Sequence, residues 1–417
     1  MSAWKTCDLG ELAAIGAGNS APQDDKLFED GTVPFFRTSD VGRVRFGDIV
    51  SSADRLNERG VRGLRRLPAG TVLFPKSGAS TFLNHRVMMQ VDGCVSSHLA
   101  TITAEQQRAE PRFLLYFLAT VRAQDLVQDH AYPSVNLPLI AGIRVPTPPI
   151  REQRRIAVIL DEAFAAIAAA KVNAGKSIES ARELYSSRLQ DLIEQNEAWE
   201  RVQLEELLAR GWIVGHLDGN HGSDYPRKDE FVEAGVPYIA ASAIKNGAID
   251  FDEAKYLSPQ RAASIRKGLA KDGDVLFAHN ATVGPVAILR TDEDAVILGT
   301  SLTYYRCDPR YIKPEYLAHF MVSRAFTSQY QQVMKQSTRN QVPITKQREF
   351  FHVVPPIDAQ RRIAHGLDEL SAQTERLAEV QRRKLTALDE LKQSLLHQAF
   401  TGQLTAKSAD QQLSKAA

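Results

Sequence analysis

Residues 148–162 read PPIREQRRIAVILDE, and residues 355–369 read PPIDAQRRIAHGLDE. Eleven of the fifteen positions are identical at an offset of 207. Self-similarity on this scale constrains architecture before any local propensity does, so the chain is a duplication. Weaker matches carry the repeat upstream. Trp4, Leu9, Glu11 and Leu12 match Trp199, Leu204, Glu206 and Leu207, and Val33-Pro34-Phe35 matches Val236-Pro237-Tyr238. Gly70, Val72, Leu73 and Phe74 match Gly273, Val275, Leu276 and Phe277, and Pro111, Leu114 and Phe117 match Pro314, Leu317 and Phe320. The offset drifts from 195 through 203 to 207, so equivalent loops differ in length.

Each block opens a long helical pattern, entered through a proline pair that fixes the first turn. In the first helix Ile156, Leu160, Ala163, Ile167, Ala170, Ala174, Ile178, Ala181, Tyr185, Leu189 and Leu192 recur at three- and four-residue steps. In the second, Leu367, Leu370, Thr374, Leu377, Gln381, Lys384, Leu388, Leu391 and Leu395 fall on heptad a and d positions. About 43 helical residues span roughly 65 Å, and a helix of that length with one apolar stripe needs a partner. The two helices are expected to pair antiparallel, placing a globular unit at each end about a pseudo-two-fold axis. Gly175 interrupts the first helix and is expected to bend or loosen it.

The segments before each block mix short β-type runs (Thr71–Phe74, Val95–Thr103, Asp274–Phe277, Ser301–Arg306) with Gly/Pro/Asn turns and one helical stretch, Arg112–Asp129 and Pro314–Lys335. The expected fold is α+β: mixed globular domains over 1–147 and 197–354, spacer helices over 148–196 and 355–404, and a disordered polar tail over 405–417. Three scattered cysteines (Cys7, Cys94, Cys307) make neither a disulfide framework nor a usual zinc site. No apolar run reaches the roughly 18 residues of a membrane span, and the N-terminus lacks a signal-peptide core; together these predict a cytoplasmic protein. Net charge is only +1, but from Arg37 to Arg86 ten Lys/Arg face four acids. Duplex DNA repeats its faces about every 34 Å. Two diverged copies of one domain on a rigid spacer suit two unlike half-sites on such a duplex.

The repeated block resembles the start of the conserved regions of type I restriction–modification specificity subunits. So do the Trp-x-x-x-x-Leu-x-Glu-Leu openings at Trp4 and Trp199 and the closing Leu395-Leu396-His397-Gln398-Ala399-Phe400-Thr401-Gly402-Gln403-Leu404. The resemblance covers about residues 1–404. It implies two target recognition domains, each reading half of a split asymmetric site in double-stranded DNA. It also implies spacer helices that dock two methyltransferase subunits, with motor-nuclease subunits completing the complex. S-adenosylmethionine, ATP and Mg would belong to those partners, and this chain would have no cofactor and no catalytic residue. A rival reading from the residues is a coiled-coil scaffold with protein-binding ends. A second is a specificity region that retains nuclease function.

Catalytic motifs are weak. No Asn/Asp-Pro-Pro-aromatic methyltransferase motif is present, and Gly175-Lys176-Ser177 lacks the upstream glycine of a phosphate loop. Asp250, Asp252, Glu253 and Lys255 only loosely resemble a nuclease cluster, and His216 and His221 in a Gly/Asp-rich loop could bind a cation. Base reading needs Arg or Lys for guanine and Asn or Gln for adenine, in polar loops after internal strands. The first such loop offers Lys76, Ser77, Ser80, Thr81, Asn84 and Arg86, and its repeat offers His279, Asn280 and Thr282. A second pair sets Tyr132, Ser134 and Asn136 against Ser337, Thr338, Arg339 and Asn340, with Arg339 and Asn340 the expected readers of the second half-site. A third sets Arg37, Thr38 and Ser39 against Ser242 and Lys245. The duplicated Gln153-Arg154-Arg155 and Gln360-Arg361-Arg362 are candidates for docking two identical partners.

Overall fold

A computed structural model describes residues 4–127, 133–194, 198–219, 225–336 and 340–405. Tyr132, His221, Ser337, Thr338 and Arg339 lie outside them, as does all but the first residue of the 405–417 segment. The chain divides into two compact units, Met1–Ala174 with Arg383–Ala417, and Gly175–Arg382.

In the first unit five strands run in the order Ala13–Ala17, Leu99–Ala104, Val72–Pro75, Arg86–Met89, Phe46–Ile49. Only the last pair is parallel. The second unit repeats the first four of these as Ile213–Asp218, Leu302–Cys307, Val275–Asn280 and Thr282–Ile288, all antiparallel. The first unit adds a three-stranded sheet and the second a five-stranded sheet of shorter strands, and each has a two-stranded clasp, Thr6–Asp8 with Arg144–Pro146 and Glu200–Gln203 with Phe351–Val354. The clasp joins the start of each copy to the strand that feeds the spacer helix.

Local polar groups move several boundaries from the expected ones. Val95–Thr103 is two strands, Cys94–Val95 and Leu99–Ala104, because the Ser96 N–H turns to Phe36 of the small sheet (2.9 Å). The first helical stretch is Pro111–Leu118, ended where Thr120 Oγ1 bonds the Phe117 carbonyl at 2.7 Å, with a 3₁₀ turn at Ala123–Asp125. The second is two helices, Pro314–Val322 and Arg324–Lys335, parted at Ser323, whose buried hydroxyl donates to Phe320 O at 2.6 Å.

The spacer helices are Ile150–Glu194 and Ile357–Phe400. Gly175 does not interrupt the first, since one glycine lowers helix propensity without removing a hydrogen bond. In the first unit the two run antiparallel: Ile156 and Leu160 share a core with Leu396 and Ala399, Lys392 Nζ lies 4.9 Å from the Phe164 ring, and Lys171 pairs with Asp389. In the second unit Leu189 and Ile193 share a core with Ile363 and Leu367. The expected stripe of the first helix is buried or half-buried throughout. The second departs by one residue at three successive heptads. Leu377, Lys384 and Leu391 are exposed, while Ala378, Leu385 and Lys392 face inward. The Lys392 ammonium caps the Phe46 ring at 4.2 Å.

The repeated block has a structural cause. Gln153 is buried; its Oε1 accepts from Glu110 N (3.0 Å) and its Nε2 donates to Arg108 O (3.1 Å) and Pro148 O (2.9 Å). Gln360 does the same with Lys313 N, Tyr311 O and Pro355 O, each at 2.9 Å. The two aspartates that close the block anchor the domain helix: Asp161 accepts from Tyr116 Oη at 2.5 Å, and Asp368 lies 2.8 Å from His319 Nε2.

Candidate nucleic-acid interface

The first two candidate loops of each copy meet at the end of the central strand. In the first unit Lys76 N donates to His98 O (3.0 Å) and Val135 N to Lys76 O (2.8 Å). In the second, His279 N donates to Ser301 O (2.9 Å) and Val342 N to His279 O (2.8 Å). Two residues on, Gly78 N bonds Pro133 O (2.9 Å) and Ala281 N bonds Asn340 O (3.0 Å). Between them Ser77 is bridged to Ser134, and Asn280 to Gln341, both antiparallel. Gly78 and Ala281 both turn with positive φ, 75° and 63°. Glycine does so freely, whereas alanine bears a cost of about 1 kcal/mol, so the frame overrides residue preference. The repeat thus holds bond for bond in the backbone while the side chains differ.

Several candidates are elsewhere. Arg86 is wholly buried, its guanidinium 3.5 Å over the Phe74 ring and donating to His85 O and Val121 O. Burial without a carboxylate pulls its pKa down to about 9. It cannot reach DNA from there. Nor can Thr81, buried in the 3₁₀ turn Ala79–Leu83, or His279, buried with Nδ1 against Val342 O. The inward residue of the bridge frame is the one at 76 and 279, and only a long side chain such as Lys76 stays half-exposed there. Asn84 adopts the left-handed region, accepts from Ala123 N (2.7 Å) and donates to Gln124 Oε1 (2.8 Å), a turn-building role. Asn340 donates Nδ2 to Ala281 O at 2.5 Å, holding the frame.

Ser77 and Ser80 are half-buried and Thr282 is exposed at the frame, beside exposed Ser134 and Asn136. The third pair is separate: Thr38 opens the helix Thr38–Val44, and Lys245 is exposed on the hairpin Ile244–Lys245 with Ala248–Ile249. Arg37 is held by Asp54 at 2.5 Å and lies over Phe35 at 5.4 Å, while Arg43 neutralises Asp40. Part of the local positive excess is therefore cancelled within the fold. His216 is in the strand Ile213–Asp218, not in a loop; its Nε2 lies 3.2 Å from Gln347 Oε1, and burial pushes its pKa down to about 4. Among the described residues no group of His, Cys, Asp and Glu could hold a metal ion, and no helix is long and apolar enough to cross a membrane.

The sequence profile of the type I restriction modification DNA specificity domain matches residues 1–179 and again residues 196–386. The chain belongs to this family. It is similar to the type I restriction enzyme EcoBI specificity subunit of Escherichia coli, 18% identical over 82% of this chain and 76% of that one. It is also similar to the MjaVIII specificity subunit of Methanocaldococcus jannaschii, 20% identical over 76% and 75%. Among solved structures it resembles a chain from work on complex assembly and conformational transition of the type I R-M system, with a TM-score of 0.75, 19% identity, and coverage of 97% and 99%. The HsdS subunit of Thermoanaerobacter tengcongensis follows at TM-score 0.59, 20% identity, and coverage of 97% and 98%. These likenesses support the α+β fold with a duplicated domain and long helices.

For a specificity-family chain the docking candidates need one correction. Gln153 and Gln360 are buried in the hydrogen bonds that hold each spacer helix to its domain, so their repetition says nothing about a partner. Arg154 and Arg361 are 61% and 60% exposed, paired to Glu110 and Asp358 at 3.2 Å each. Arg155 lies 4.0 Å from Glu152, while Arg362 lines an open groove with Trp199 and Leu370 in the second unit. Sequence reasoning missed His98, whose Nδ1 lies 2.8 Å from Ser77 Oγ, and Gln341 opposite Asn280. Extending the offset of 207 from Ser134 would have found Gln341, whereas His98 comes from the turn before a neighbouring strand and nothing in the repeat marks it.

Proposed function

We propose that this chain is the sequence-reading subunit of a type I restriction–modification complex. Domains over 1–147 and 197–354 each read one half of a bipartite asymmetric site in double-stranded DNA, and the helices over 148–196 and 355–404 are the spacer. The observation that carries the reading is the duplicated backbone frame with unlike exposed side chains, in a chain of the DNA specificity family. A constant scaffold with variable polar tips is what two different half-sites demand. The spacer positions two adenine methyltransferase subunits, through Arg154 and Arg361 among other contacts, and motor-nuclease subunits join them. Chemistry falls to those partners, with S-adenosylmethionine, ATP and Mg.

The test is single-molecule sequencing of methylated adenines in DNA from cells expressing the chain with its methyltransferase. A split motif of two short unlike halves, lost when the chain is removed, is expected. An active methyltransferase with no chain-dependent motif would overturn the reading.

A further inference from the structure

The frame singles out one pair of side chains per unit. Residues opposed across an antiparallel bridge carry their side chains on one face, with Cβ atoms about 4.5–5.5 Å apart. In the second unit that pair is Asn280 and Gln341. Both are half-exposed, and neither carboxamide has a hydrogen-bond partner among the described residues. The neighbouring Asn340, by contrast, spends its amide on Ala281 O. In the first unit the same pair is Ser77 and Ser134, with the Ser77 hydroxyl engaged by His98 Nδ1 at 2.8 Å. The strained Ala281 holds the second pair in the geometry that Gly78 gives the first.

We propose that this bridged pair is where each unit reads a base pair, and that Asn280 and Gln341 select an adenine in the second half-site. A carboxamide offers one donor beside one acceptor, the complement of adenine N6 and N7 in the major groove, whereas a serine hydroxyl suits either base pair. The second unit is therefore stringent for adenine at the position it meets through this pair, and the first unit is tolerant at the equivalent position. The assignment rests on the reader role proposed above.

It is tested with the assembled complex of chain and methyltransferase. Methylation rates are measured on duplexes in which each base pair of the site, other than the methylated adenines, is replaced in turn. For the native complex, replacing one adenine of the second half lowers the rate about ten- to a hundredfold. In the double variant Asn280→Ser, Gln341→Ser that penalty vanishes at this pair alone, with every penalty in the first half kept. Asn280→Asp preserves side-chain shape but trades the amide donor for an acceptor, so it shifts preference toward cytosine there. It carries the test should the double variant fail to assemble. Native penalties throughout the second half in both variants would overturn the assignment, as would parallel loss in both halves. A native complex that discriminates in neither half would sink the reader role itself.

Discussion

Gln153 and Gln360 recur because each satisfies one N–H and two carbonyls at the junction of domain and spacer helix. Burying such groups unpaired costs about 1–3 kcal/mol each, more than the net gain of making the bonds. Gln153→Ala is expected to destabilise the first unit, and Gln360→Ala the second, by about 2–4 kcal/mol after partial rescue by water. Thermal melts of the purified chain check this; unchanged midpoints would mean the glutamines are dispensable to folding. Identical polar residues in a repeat read as a shared surface from sequence, because nothing in the letters marks burial. The same limit explains Arg86, Thr81 and His279. They belong to polar stretches of the sequence, yet His279 lies near the end of the central strand with its side chain inward, Arg86 opens the next strand with its guanidinium over Phe74, and the 3₁₀ turn Ala79–Leu83 buries Thr81. Loop chemistry was legible; parity was not.

Helical periodicity exposed both spacer helices in the sequence, and the stripe of the first agrees with the structure along its length. In the second helix the heptad reading kept a strict seven-residue step through Leu377, Lys384 and Leu391, whereas Ala378, Leu385 and Lys392 are the inward positions. A straight helix drifts against a seven-residue repeat, and the Lys392 ammonium over the Phe46 and Phe164 rings lets a charged residue take an inward position. Glycine at helix interiors shows a further departure from uniform design. A Cβ added at Gly175 or Gly366 meets nothing within 4 Å, and Gly366 occupies the place of Ile159 in the first copy. Neither glycine admits a close neighbour, so each only lowers helix propensity. Gly175→Ala and Gly366→Ala are each expected to stabilise the fold by up to about 1 kcal/mol, read as a rise in the guanidinium midpoint. A fall in either midpoint would reveal strain at that turn.

At the scale of the molecule the duplication was visible in fifteen residues, and the shared four-strand sheet, clasp and bridge frame follow it closely. What the repeat did not predict is how differently the two cores are built. The second unit buries His216 and His352 beside Tyr305, Gln347 and Phe326. Desolvation holds both histidines near pKa 4, with Arg348 and His279 also lowering His216 and with His216 lowering His352. Among the described residues of the first unit only His85 is a lowered histidine, through partial burial and through Arg45 and Arg86. For a histidine whose folded pKa lies below the unfolded 6.5, the unfolded chain takes up the proton first as pH falls. Stability is therefore intact above about pH 6.5 and lost between there and about pH 4. At pH 5 each buried histidine removes about 2 kcal/mol from the second unit, a few kcal/mol for the coupled pair. The second unit is thus expected to unfold before the first in mild acid, at equal denaturant. Guanidinium melts at pH 7.5 and pH 5.0, on variants keeping only Trp4 or only Trp212 as the fluorophore, separate the two. The Trp212 midpoint should fall well below the Trp4 midpoint at pH 5.0, and His216→Gln with His352→Phe should narrow that gap. Midpoints that move together, unaffected by those substitutions, would show that the histidines do not set the acid limit of the second unit.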